Sequence, residues 1–386
     1  MSGLGLPQIN FDAPRLLAHA FLFEIDTYLN HETKGNFVRW MDDIDFAVQD
    51  IGSAKKILRG LDELLLTRGL RLNLGKTKIL SSEEAKNYFL PNENRYLTIM
   101  TKRVDRLIDS GLDISDEKQK IRRRFKKFLN LPHIGRWEKV YKRYFTLSTK
   151  TKDTFLEFYV PELLDNNPDL RENIFRYYGG LGINKKRFEH IRNFMKEQNC
   201  LDDVAIFSAA KLLTDWTVSF KSKIKREMVD LAVSIAGISP AHLISSIWLL
   251  SKYGTSSELV SILDTTSYLW KYSSFLSRQV AATIPKIRDL RGDIFEKIFA
   301  ETGQLDALRI LYNLDQLRSK PLSKAEILYI MHGSKNDYYP LSKFIITLDL
   351  LSSPHIDPSI RNKLRTDLIV RIKDPIYIQQ INRIRI

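Results

Sequence analysis

Cysteine is almost missing from this chain, with Cys200 alone among 386 residues. A lone thiol makes neither an internal disulfide nor a cysteine-based zinc or iron–sulfur site, which excludes a disulfide-held scaffold and fits a reducing cytoplasm. Histidine is scarce too. The seven present are scattered, none at ligand spacing from another histidine or from the cysteine, so zinc hydrolysis has no ligand set. Long apolar runs are lacking: Leu243 to Leu250 is among the longest, well short of a membrane span, and no basic and apolar leader opens the chain. The expectation is a cytoplasmic protein with no membrane partner. Glycine (17) and proline (13) are few enough to exclude collagen-like and low-complexity classes. Neither a phosphate-binding P-loop nor a Gly-x-Ser-x-Gly elbow is found, so nucleotide-driven motors and serine hydrolases have no support.

What is present in excess is positive charge, and it is unevenly placed. Residues 1–100 hold 12 basic and 13 acidic side chains, whereas residues 101–386 hold 48 and 33. Residues 101–150 alone carry 15 against 6, including the run Arg122-Arg123-Arg124-Phe125-Lys126-Lys127. Such a block suits a polyanion, most simply nucleic acid, through phosphate neutralisation; a solvated helix face is the alternative reading.

Secondary-structure signals change near Tyr96. Before it, Asp12 with Pro14 opens a helix whose apolar series Leu17, Phe21, Ile25 and Leu29 runs to about Asn30. Phe37–Met41 and Ile44–Val48 read as two short strands flanking Asp42-Asp43, a hairpin with two carboxylates at its tip. Ser53 is expected to cap a helix carrying Ile57, Leu61, Leu64 and Leu65, with Gly69 at its C-terminal turn. A polar turn, Leu72 to Thr77, then leads to a strand near Lys78-Ile79-Leu80. From Tyr96 onward the pattern is helix after helix, among them Arg122–Leu129, Trp137–Ser148 and Val204–Trp216. Short amphipathic segments such as Leu276–Ile284 and Asp293–Phe299 suggest stacked pairs, so a helical-repeat arrangement stays open. The aromatics Phe125, Trp137, Tyr141, Tyr144 and Phe145, interleaved with basic residues, fit core positions of amphipathic helices better than a base-stacking surface.

Asp42-Asp43 is the sharpest local feature, because adjacent carboxylates repel and a hard divalent cation with oxygen ligands, Mg²⁺ or Mn²⁺, is the simplest relief. Alone, the pair is a common polar turn. Three segments give it a context: Gly3-Leu4-Gly5-Leu6-Pro7-Gln8 with the helix after it; Phe37-Val38-Arg39-Trp40-Met41-Asp42-Asp43-Ile44; and Leu72-Asn73-Leu74-Gly75-Lys76-Thr77. In this order they resemble the palm of reverse transcriptases, the bacterial abortive-infection and antiphage-defence type more than retroviral or group II intron enzymes. The first looks like the family's Gly-x-Pro-Gln turn, the second like its Tyr-x-Asp-Asp hairpin with Trp40 as the aromatic, the third like its Leu-Asn-x-x-Lys-Thr segment. Pro7 precedes Asp42 by 35 positions and Asp43 precedes Lys76 by 33, separations that suit the resemblance.

The resemblance implies an RNA-directed DNA polymerase acting on an RNA or DNA template–primer and dNTPs by two-metal phosphoryl transfer. Asp42 would be a principal metal ligand, Asp43 its supporting carboxylate, and Lys76 the group that offsets triphosphate charge or protonates the leaving pyrophosphate. Gly5, Pro7 and Gln8 would face template and nucleotide, and Arg15 and Arg39 would be phosphate contacts. Two departures qualify it. Ile9 stands where the family has glycine, and the family's other metal-binding aspartate lies in a strand well before the Pro-Gln turn, whereas only six residues precede Pro7. The expectation is therefore an α+β palm remnant of β-hairpin and helices lacking fingers and first palm strand (1–97), then a basic α-helical thumb-like region (98–230) and an α-helical C-terminal domain (231–386). An upstream polypeptide is the expected source of the missing aspartate, and the edge of the hairpin would need something to cover it. The competing expectation is a non-catalytic protein with a degenerate palm, whose basic helical domain binds nucleic acid or a protein partner.

Overall fold

The computed structural model describes residues 12–196, 202–334 and 339–386, the side chains of 13–15 excepted. The Gly5, Pro7 and Gln8 expectations lie outside the described residues, as does the side chain of Arg15. The chain is mostly helical, with one two-stranded antiparallel sheet near its N-terminus, and it divides after Phe89 into two compact units. Among the described residues no helix is long and apolar enough to cross a membrane.

The first unit contains α1 (Asp12–Phe21), α2 (Phe23–Thr33), β1 (Phe37–Trp40), β2 (Asp43–Phe46), α3 (Ile51–Leu66) and α4 (Ser82–Phe89). The single helix expected from Asp12 to Asn30 is two helices, with Leu22 leaving the ladder to donate its amide to His19. That break separates the buried Ile25 and Leu29 of α2 from Leu16, Leu17 and Phe21 of α1, which are exposed. Ile25 and Leu29 pack with Ile57, Leu61 and Leu65 of α3 into a small core, against which Phe37, Ile44 and Phe46 of the hairpin are half-buried. Close approach of α2 and α3 needs Gly60: a Cβ there would lie 2.2 Å from the Tyr28 hydroxyl, which donates to the Ile57 carbonyl. The cap of α3 is Asp50, not Ser53: its carboxylate accepts from the Ser53 amide and hydroxyl. Gly69 does take a left-handed conformation, φ +72°, and lets the Leu70 amide reach back to the Leu65 carbonyl. The strand expected at 78–80 is irregular chain. Ile79 is exposed, and among the described residues β1 and β2 pair only with each other.

The second unit runs through α5 (Pro91–Asp109), α6 (Ser115–Leu129), α7 (Trp137–Thr151), α8 (Val160–Asn166), α9 (Arg171–Leu181), α10 (Lys185–Lys196), α11 (Asp203–Asp215), α12 (Lys223–Ile235) and α13 (Pro240–Tyr253). It continues with α14 (Ser256–Thr265), α15 (Ser267–Trp270), α16 (Ser274–Glu301), α17 (Leu305–Ser319), α18 (Lys324–Met331), α19 (Leu341–Ser352), α20 (Pro358–Arg371) and α21 (Pro375–Arg383). Its boundary precedes the expected one because Pro91 opens α5, whose Leu97, Met100 and Val104 belong to the helical core with Ile121 and Phe125. One apolar core extends from Leu90 to Leu311, and a second, from Leu322 to Ile381, is built by the last helices.

The aromatics of the basic segment are core residues, as expected. Phe125, Tyr141, Tyr144 and Phe145 are at most 1% exposed and Trp137 is 6%. Phe125 meets Tyr141 and Tyr144 edge-on at centroid distances of 5.2 and 5.0 Å, and Trp137 stacks on Phe128. Leu276–Ile284 and Asp293–Phe299 are not separate helices; both lie in the 28-residue α16, which contains Pro285. Burial of Ile284, Ile287, Phe295 and Phe299 along one face holds it continuous through the proline. Lys286 follows, its ammonium donating to the Leu250, Ser251 and Gly254 carbonyls at the C-terminus of α13. The two cores are joined by a buried ion pair, Lys252 to Asp374, 2.5 Å apart with side chains 1% and 3% exposed.

Candidate functional site

The hairpin carries the carboxylates, and its register decides how they are presented. Phe37 pairs with Phe46, Val38 with Asp45, Arg39 with Ile44 and Trp40 with Asp43, which leaves Met41 and Asp42 as a two-residue loop. The expected tip is therefore present in a shifted form: Asp42 is in the turn, while Asp43 is the first residue of β2. Strand alternation sends Phe37, Arg39, Ile44 and Phe46 inward and Val38, Trp40, Asp43 and Asp45 outward. Trp40 is 79% exposed and Val38 69%, so the outer face combines two apolar side chains with two carboxylates, and Asp42 is exposed beside them.

A two-residue hairpin loop needs positive φ, which glycine or asparagine adopts readily. Here Met41 takes it, at φ 58°. Arg39 supports that strained turn from below: its Nη1 donates to the Met41 carbonyl at 2.9 Å, while Nε and Nη2 donate to the two Asp26 carboxylate oxygens at 2.5 Å each. The Arg39 side chain is 6% exposed, and the bonded Asp26 carboxylate raises its pKa against the opposing effect of burial. The expected phosphate contact is thus a clamp fixing the hairpin tip to α2. Its signal in sequence is its phase: an arginine two residues from an inward phenylalanine in a strand requires a buried acceptor, but nothing marks Asp26, thirteen positions earlier, as that acceptor.

Lys76 stands in an exposed turn whose Lys76 and Thr77 amides both donate to the Asn73 carbonyl. Among the described residues no three histidine, cysteine, aspartate or glutamate side chains converge into a metal-holding group. The tip fits Mg²⁺ or Mn²⁺ in donor type, hard carboxylate oxygen, but not in ligand number.

The basic run on α6 is divided between structure and surface. Arg122 makes two hydrogen bonds to Asp153, which is 2% exposed, and Arg124 pairs with Glu93, which is 7% exposed. Arg123, Lys126 and Lys127 face solvent on the same helix. Comparison with protein-family models, with curated proteins and with solved structures finds no match to this chain.

Proposed function

We propose that the N-terminal unit is the C-terminal part of a reverse transcriptase-like palm and that the protein serves RNA-directed DNA synthesis, in an antiphage role. The observation that carries the reading is the strained two-residue loop, clamped by Arg39, which holds Asp42 and Asp43 outward at the end of a hairpin. Such a tip is a place for divalent metal at a polymerase centre, where Mg²⁺ or Mn²⁺ supplies charge neutralisation at the reacting phosphate. Further carboxylate ligands would come from outside the described residues, an upstream polypeptide being the proposed source. Asp42 and Asp43 would orient and neutralise, Lys76 would offset charge on the nucleotide phosphates, and the exposed cations Arg123, Lys126 and Lys127 would hold the template–primer backbone. The test is Mg²⁺- or Mn²⁺-dependent dNTP incorporation by protein isolated from its own cells with whatever copurifies. Asp42→Asn is expected to abolish incorporation, and incorporation that survives the change contradicts the reading.

One observation favours a second reading: Arg123, Lys126 and Lys127 give α6 an exposed cationic face. A degenerate palm attached to a nucleic-acid-binding helical unit would show salt-sensitive binding that ignores substitution of Asp42 and Asp43. Binding absent even at low ionic strength would remove it.

A further inference from the structure

Buried aromatics dominate the helical unit, yet three exposed rings lie within eight residues of one another. Tyr268 is 66% exposed, Tyr272 79% and Phe275 49%, at the junction of α15 and α16. Single exposed apolar residues are ordinary, whereas a clustered set marks a surface meant for contact. The junction is also rigid. Trp270, between the two tyrosines, is completely buried, donates its indole N–H to the Leu263 carbonyl at 2.8 Å and packs on Phe295 and Phe299. The Ser273 side chain caps α16, and the Ser277 hydroxyl donates to the Trp270 carbonyl at 2.7 Å. The rings are therefore held outward by a fixed backbone, so little ordering is needed on contact.

Two cations stand beside the rings. Lys271 sits between the tyrosines, and the exposed Arg278 holds its guanidinium 5.8 Å from the Phe275 ring centre, one turn into α16. Of the nearby acids, Asp264 pairs with Arg291, and Asp306 accepts from the Ser274 hydroxyl between Tyr272 and Phe275, with Arg309 3.8 Å away to offset its charge. Flat rings interleaved with cations match a chain of flat bases joined by phosphates. Duplex nucleic acid hides its base faces, so the fit is to a single strand.

We propose that Tyr268, Tyr272 and Phe275, with Lys271 and Arg278, form a stacking platform for single-stranded nucleic acid. This rests on the nucleic-acid half of the proposed function and not on the carboxylate tip. Binding is therefore measured without nucleotide or divalent metal, so that failure of the platform and failure of the polymerase reading are seen separately.

The experiment is fluorescence anisotropy of the full chain with labelled 12-nucleotide single-stranded RNA and DNA and a 12-base-pair duplex, across a salt series. Tyr268→Ala/Tyr272→Ala is expected to weaken single-strand affinity by about tenfold or more, with the salt dependence kept and duplex binding little changed. Arg278→Gln is expected to flatten the salt dependence by about one phosphate contact. Both sites are exposed, and Phe275→Ala is a second variant should the double one misfold by circular dichroism. Equal single-strand affinity for wild type and the aromatic variants overturns the proposal. So does affinity of the rings for anionic lipid vesicles in place of the oligonucleotide, since that would identify a membrane surface as the occupant.

Discussion

The hairpin and the surroundings of α6 handle charge in opposite ways. Around α6 the acids are buried and the arginines reach in from the surface: Asp153, Glu93 and Glu117 are 2%, 7% and 4% exposed, beneath Arg122, Arg124 and Arg103 at 49%, 33% and 54%. In the hairpin unit the cation is the inward member, Arg39 at 6% against Asp26 at 30%, and the remaining carboxylates of the tip are turned outward. The difference teaches that a basic run in sequence is not equivalent to a basic patch. Part of the positive charge of residues 101–150 serves to satisfy buried acids, which leaves a smaller set for a polyanion. Conversely, the hairpin unit, with little net charge, concentrates exposed carboxylate at one point.

The strongest way to break this comparison is at the buried pair of the helical unit. Asp374→Ala leaves the Lys252 ammonium buried without its carboxylate, and is expected to lower stability by about 3–5 kcal/mol in chemical denaturation. The paired change Lys252→Met/Asp374→Leu should recover much of that loss. A single variant as stable as wild type would show that the pair does not hold the two cores together. Next in size, Arg39→Met unpairs Asp26 and releases the Met41 carbonyl, with an expected loss of about 2 kcal/mol. Amide exchange should quicken at residues 37–46 and stay unchanged in α6 and α7; a uniform change in both units would contradict the clamp.

Acid gives a smaller effect, through two histidines of the helical unit. Burial holds the imidazoles of His190 and His242 below their ordinary pKa, His190 against the Tyr178 hydroxyl and His242 between Ser239 and the Met195 carbonyl. The unfolded chain then binds protons that the folded chain resists. Their contribution is fully present above about pH 6.5 and is lost as pH falls through the lowered folded values. Denaturation midpoints measured from pH 7.5 to 5 should fall, and less steeply in His242→Gln; identical slopes would contradict the assignment. Smallest of all, Met41→Gly relieves a left-handed non-glycine residue and should stabilise the hairpin by about 1 kcal/mol, read from the thermal midpoint of its amide exchange. A loss of stability would mean that the Met41 side chain, not its backbone, matters at the tip.

Local rules account for much of what was legible in the sequence. The hairpin was legible because β-branched and aromatic residues flank a polar pair, and the burial of Phe125, Tyr141 and Tyr144 because they recur at helical spacing. What failed needed partners far along the chain. Lys78-Ile79-Leu80 has strand-forming residues but, among the described residues, no neighbouring strand to pair with. Leu276–Ile284 and Asp293–Phe299 read as separate short helices, while the apolar face from Leu276 to Phe299 joins them in α16. Asp50 displaced Ser53 as a cap because α3 starts at Ile51, one residue after a carboxylate that accepts from the Ser53 amide. In the candidate site, Asp42 and Asp43 were visible from their turn chemistry, whereas the role of Arg39 depended on Asp26 in another element.

We propose that divalent metal meets this chain at the hairpin tip and not in the helical unit. Titrating the full protein with Mn²⁺ and following paramagnetic broadening of its amide resonances tests this directly. The account predicts selective broadening of residues 40–45 in the wild type and its loss in Asp42→Asn/Asp43→Asn. Broadening centred in the helical unit, or unchanged by that double substitution, would contradict it.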